Sequence, residues 1–201
     1  TNDALHSWSK YIRLKVLTER GKDYANVELQ QYSSRDDGGY TITDIEGRTI
    51  HPDGTIIPFT GKPYENLLEK SNGLKVEAKV FTLPDVEVGS IIEYRYVLRY
   101  DDDLYFAPSW FVQSDLFTRK AHYEWRPTGR MLVSKGEHGE DVTNSIAWAP
   151  ILPKGFEVKQ TRLPMTSDTD QGQNLFELDI HDVQPTPDED HMPPLASFSY
   201  R

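Results

Sequence analysis

The sequence predicts an all-β fold: one antiparallel, β-sandwich-like single domain with long loops. Three observations predict it. Apolar and polar residues alternate with period two in run after run, which is the side-chain period of a half-buried strand. Turn residues, chiefly Gly, Pro, Asp and Asn, separate those runs at short intervals. Over the second run, 24–32, Ala25, Val27 and Leu29 keep to one face of a strand.

The elements follow in order. Residues 1–10 read as a lead segment. Ile12, Leu14 and Val16 alternate with Tyr11, Arg13 and Lys15 as a first strand, and Gly21-Lys22-Asp23 reads as a turn. Ala25, Val27 and Leu29 share one face of the next strand. A third strand runs near Tyr40–Ile50 and ends at His51-Pro52-Asp53-Gly54. Proline sets φ early in that turn and Gly54 is free to take φ > 0, so a hairpin is expected between Arg48–Ile50 and Thr55–Phe59. Residues 60–74, rich in Lys, Glu, Asn and Gly, read as a surface loop. Val76, Ala78 and Val80 resume the alternation.

Pro84 to Gly89 interrupts it, and the longest strand follows over Ser90–Tyr100. Period two sends Ile92, Tyr94, Tyr96 and Leu98 to the core and leaves Glu93, Arg95 and Arg99 more exposed. Asp101-Asp102-Asp103 is a solvated turn. Trp110 with Val112, then Ala121 with Tyr123 and Trp125, mark two further strands. Met131-Leu132-Val133, Phe156 with Val158, and Phe176 with Leu178 and Ile180 mark the rest. The domain therefore spans 11–183. Residues 184–201 form a Pro-rich exit segment whose Met192, Leu195, Phe198 and Tyr200 are more apolar than a flexible linker requires.

Charge narrows the partners. Twenty-two basic and 32 acidic side chains give a net charge of −10. Such a surface repels the backbone of nucleic acid and an anionic membrane. No apolar run approaches the roughly 20 residues of a membrane helix. There is no cysteine, which removes thiol catalysis, disulfides and cysteine-ligated zinc.

Motifs of catalysis are not visible. There is no Gly-x-Ser-x-Gly elbow and no His-Glu-x-x-His. Gly38-Gly39 lacks the lysine and helix of a phosphate loop. His51, His122 and His181 read as turn or surface histidines; His122 faces away from Tyr123. No cofactor or metal is expected. The aromatic residues are the remaining candidates: Trp110, Trp125 and Tyr94 would make a platform for sugar or peptide if exposed, although core packing is the simpler account. Pro52, Asp53, Gly54, Pro84 and Gly89 have structural roles.

These segments carry a resemblance. Ala25-Asn26-Val27-Glu28-Leu29, then Arg48 to Ile56 around the Pro-Asp-Gly turn, then Leu83-Pro84-Asp85-Val86-Glu87-Val88-Gly89-Ser90-Ile91-Ile92-Glu93-Tyr94-Arg95-Tyr96 resemble a bacterial domain family of unknown function. That family commonly sits N-terminal to a transglutaminase-like, papain-type domain. The Leu-Pro-x-Val-x-Val-Gly-x-Ile-x-Glu-Tyr portion is fairly specific, and Val183 to Pro194 looks like the exit toward the second domain. The resemblance implies a sandwich-like fold, an exported, periplasmic or cell-envelope setting, and no catalytic residues in this chain. The expected function is a non-catalytic accessory module that positions or regulates a downstream transglutaminase-like domain of the same chain. The alternative is a carbohydrate- or peptide-binding module with an exposed aromatic surface.

Overall fold

The computed structural model describes residues 7–34, 38–71, 73–101, 110–126, 133–135, 141–143, 151–164 and 174–186. The lead before Ser7, Asp102 and Asp103, Met131 and Leu132, Trp148 and the exit segment beyond Thr186 lie outside the described residues. Twelve strands and one 3-10 helix make up the described elements. Every strand pairing is antiparallel. The all-β expectation holds.

One point of organisation differs. The chain divides into two compact units, Thr1–Phe106 and Ala107–Arg201, where the sequence suggests one domain over 11–183. Each unit has its own cluster of buried apolar residues. The sequence hides the boundary because alternation and turn signals run across it with no change in composition.

The first unit holds β1 (Ser7–Lys15), the 3-10 helix (Glu19–Ala25), β2 (Asn26–Ser34), β3 (Gly38–Ile50), β4 (Ile56–Pro58), β5 (Tyr64–Ser71), β6 (Leu74–Thr82) and β7 (Ile91–Tyr100). They form one seven-stranded sheet in the order β1-β7-β3-β2-β6-β5, with β4 beside β3. Strand β1 begins inside the expected lead segment. Thr18 caps the 3-10 helix by accepting from Gly21 N–H at 3.2 Å, where only a turn is expected. The predicted loop over 60–74 contains β5 instead. All eight of its residues are exposed, so it shows no burial alternation. Among the described residues it is an edge strand, bonded to β6 alone.

One face of the sheet is apolar. Val27, Leu29, Ile42, Phe81 and Ile92 are buried there, with Tyr94, Tyr96 and Leu98 packed against them as period two demands. Burial pushes the Tyr96 hydroxyl pKa up to about 12. A β-bulge in β3 sets two residues, Asp44 and Ile45, opposite Tyr96 between the Thr43–Val97 and Glu46–Arg95 pairs. Asp44 takes φ of 53° to make it. The extra residue lets Ile45 join the core while Asp44 and Glu46 both serve the opposite face.

The second unit holds β8 (Thr118–Trp125), β9 (Val133–Lys135), β10 (Asp141–Thr143), β11 (Lys159–Arg162) and β12 (Asn174–Val183). Strands β11, β12 and β8 form a three-stranded sheet in that order, and β9 pairs with β10. Phe176, Leu178 and Ile180 are buried at 4% exposure or less. Trp110 and Val112 pack in this core from an extended segment without ladder bonds, not from a strand.

Candidate functional site

Two sequence motifs far apart in the chain meet at one end of the first unit's sheet. The turn after β3 is built as its residues dictate. Gly54 N–H donates to the His51 carbonyl at 2.9 Å, and His51 N–H to the Thr55 carbonyl at 2.8 Å. Asp53 accepts from Thr55 N–H at 2.8 Å. That bond holds the Asp53 carboxyl below its ordinary range. Gly54 has φ of 90°, and Ile50 pairs with Ile56 across the hairpin.

The loop between β6 and β7 docks on this turn. His51 Nε2 lies 2.8 Å from the Asp85 carbonyl. Its ring stands between the Asp85 and Glu87 carboxylates, at 3.4 and 3.6 Å. The buried Thr49 hydroxyl donates to the Pro84 carbonyl. Val16 N–H reaches the Ser90 carbonyl and Gly89 N–H the Val16 carbonyl, so the end of β1 is tied to the same place. Exposed apolar residues fringe the junction: Leu17 beside Val16, Val88 beside Gly89, and Ile56 leaving the turn.

The two glycines carry different loads. Gly54 has open space around an added Cβ, whereas one on Gly89 would meet Pro52 Cγ at 2.9 Å, and Gly89 also holds φ of 95°. Gly54→Ala is expected to cost roughly 1–3 kcal/mol from backbone strain. Gly89→Ala should cost more, because overpacking adds about 1 kcal/mol or more. Urea unfolding of the two single variants and of Pro52→Ala/Gly89→Ala tests this. Removing the Pro52 ring should recover the excess at Gly89; equal losses in all three would refute the contact.

On the sheet face opposite the core, arginines and carboxylates alternate across three strands. Glu93 of β7 stands opposite Arg13 of β1 and Arg48 of β3. Arg48 Nε donates to Glu93 Oε2, and Arg13 Nη1 lies 2.9 Å from Oε1 as a charge contact out of line for a hydrogen bond. Glu93 is only 3% exposed, not the exposed residue that alternation predicts. Its neighbours on both sides are long side chains that lie over it. Burial alone would raise the Glu93 pKa. The Arg48 and Tyr11 hydroxyl contacts and the Arg48 and Arg13 charges outweigh burial and hold it below 4.5. One row along, Arg95 grips Glu46 with two bonds of 3.0 and 2.8 Å. Arg99 bonds Asp44 and Thr43. These pairs lower both carboxyl pKa values, chiefly through the arginine hydrogen bonds.

The aromatic candidates each pack against a neighbouring ring. Tyr94 belongs to the first unit's core, edge-on to Phe81 at 6.0 Å. Trp110 stacks on Tyr123 at 4.9 Å and Trp125 on Phe176 at 5.4 Å, and both are half-buried. An open pocket of about 270 Å³ on the second unit is lined by Arg119, Lys120, Asp179, Ile180, His181 and Asp182. Among the described residues no helix is long and apolar enough to cross a membrane. Pro52, Asp53 and Gly54 lie in the turn after β3, and Pro84 and Gly89 in the loop that docks on it. Sequence reasoning missed the pairing of His51 with Asp85 and Glu87, for which no local spacing gives a signal.

Comparison with known proteins agrees with this architecture. A crystal structure described as "a putative protease from Parabacteroides distasonis" is similar to the chain, with a TM-score of 0.59 and 14% identity. The match covers 96% of this chain and 35% of that one, so this chain spans about a third of that protein's length. No curated protein sequence matches it. A family model described as a domain of unknown function with solved structure, DUF3857, matches residues 2–185. The chain belongs to the DUF3857 family.

Proposed function

We propose that the chain is a non-catalytic accessory module of a larger, exported cell-envelope protein, and that it positions or regulates a downstream transglutaminase-like domain. The observation that carries this reading is the unequal coverage: nearly all of this chain corresponds to about a third of a much longer protein. Two surface features support it. Among the described residues strand β5 has one edge without a partner, with Tyr64, Leu67 and Leu68 exposed, and such an edge invites pairing or cover by a neighbour. Leu17, Ile56 and Val88 at the turn junction are exposed as well. An interface between domains of one chain typically takes about 600–1,500 Å², which scattered apolar side chains of this kind can supply.

Turnover assays test the non-catalytic part. The purified 201-residue chain should release no product from peptide, amide or glycan substrates. Turnover that is lost on replacing His51 or one carboxylate would overturn the reading.

A further inference from the structure

We infer that the open face of the three-stranded sheet binds one divalent transition-metal ion, Zn²⁺ by ligand chemistry, through His122, Glu124 and Glu177. His122 and Glu124 are two residues apart on β8, so they share a face. It is the exposed face, because the intervening Tyr123 packs in the core. Antiparallel register then brings Glu177 directly opposite Glu124, and Asp179 opposite His122. The ligand atoms of His122, Glu124 and Glu177 lie within 4.8 Å of one another. Zinc bonds of about 2.0–2.2 Å set ligand atoms about 3–3.5 Å apart. Rotation of these surface side chains closes the difference.

Two further features favour a cation. Like charges directly opposite across paired strands repel, and Glu124 faces Glu177. Arg126 Nη2 lies 2.8 Å from Glu124 Oε1, and Lys159 stands across from Glu177 on the far side. These cations offset part of the repulsion. Asp179 Oδ1 lies 3.0 Å from His122 Nδ1. A carboxylate accepting from Nδ1–H fixes the tautomer whose Nε2 lone pair is free for a metal. A nitrogen donor beside carboxylates suits Zn²⁺, whereas Ca²⁺ and Mg²⁺ prefer oxygen ligands alone.

Calorimetric titration of the chelator-treated 201-residue chain with ZnCl₂ tests the site, with CaCl₂ and MgCl₂ in parallel. One Zn²⁺ per chain is expected, bound at least tenfold more tightly than Ca²⁺ or Mg²⁺. His122→Ala and Glu177→Gln should each weaken zinc by tenfold or more, and Asp179→Asn by roughly 10–100-fold, as for other outer partners of a ligating histidine. Cobalt gives a readout independent of affinity: Co²⁺ absorption bands of the loaded chain should disappear in His122→Ala. No zinc uptake, equal affinity for Zn²⁺ and Ca²⁺, or zinc binding unchanged in both His122→Ala and Glu177→Gln would overturn the assignment.

Discussion

Phe81→Ala is expected to remove about 3–5 kcal/mol from the stability of the first unit, the usual cost of deleting a buried phenyl ring. Phe81 is 3% exposed and sits at the centre of an aromatic cluster, 5.2 Å from Phe59 and 6.0 Å from Tyr94 by ring centroids. Its removal opens a cavity that its neighbours cannot close, because Tyr94 and Phe59 are fixed by β7 and by the bond from Phe59 N–H to the Gly47 carbonyl. Tyr64→Ala makes the matched control. Tyr64 is 62% exposed on β5, and its loss should stay within roughly 0.5 kcal/mol. Urea unfolding followed by near-ultraviolet circular dichroism reads both. Similar losses at the two positions would mean that the apolar face is not the core.

The second large effect concerns the buried carboxylate. Arg48→Met should destabilise the first unit by roughly 2–4 kcal/mol, because it strands a charge with one partner lost. Glu93→Gln should cost less. The Arg13 and Arg48 side chains are 54% and 48% exposed, so their charges can turn to water when Glu93 is neutral. The pH dependence follows from the sign of the shift. The folded Glu93 carboxyl titrates below its unfolded value of about 4.5, so the folded state favours the ionised form. That contribution is complete above the unfolded value and is lost as pH falls through the lower, folded one. Asp44 and Glu46 act in the same direction. The difference between wild type and Glu93→Gln isolates the Glu93 share: it should shrink as pH falls below 4.5. A constant difference down to pH 2 would contradict the burial of a charged Glu93.

Why some of this was legible in the sequence is a matter of period and of turn chemistry. Strand β7 shows its core face because Ile92, Tyr94, Tyr96 and Leu98 are apolar at every second position. The Pro52-Asp53-Gly54 turn is legible because one residue type meets each backbone requirement. Strand β5 was not, since an edge strand exposed along its whole length has no reason to alternate. Glu93 misled for a different reason. Alternation assigns it correctly to the face away from the core, but its burial comes from Arg13 and Arg48 on strands 80 and 45 residues distant in sequence. The zinc ligands divide in the same way: His122 and Glu124 share a face by spacing alone, while Glu177 joins them only through register. Pairings of this kind also fix that register, since a shift of one residue would carry Glu93 into the apolar face.

The proposed contact between this chain and the rest of a longer protein can be read by amide hydrogen exchange. The rates of the 201-residue chain alone are compared with those of the same residues within the longer protein that carries it. Exchange should be slower in the longer protein along β5, Tyr64–Ser71, where one edge lacks a partner strand among the described residues, and around Leu17, Ile56 and Val88 at the turn junction. Unchanged rates at every amide of the chain would contradict it.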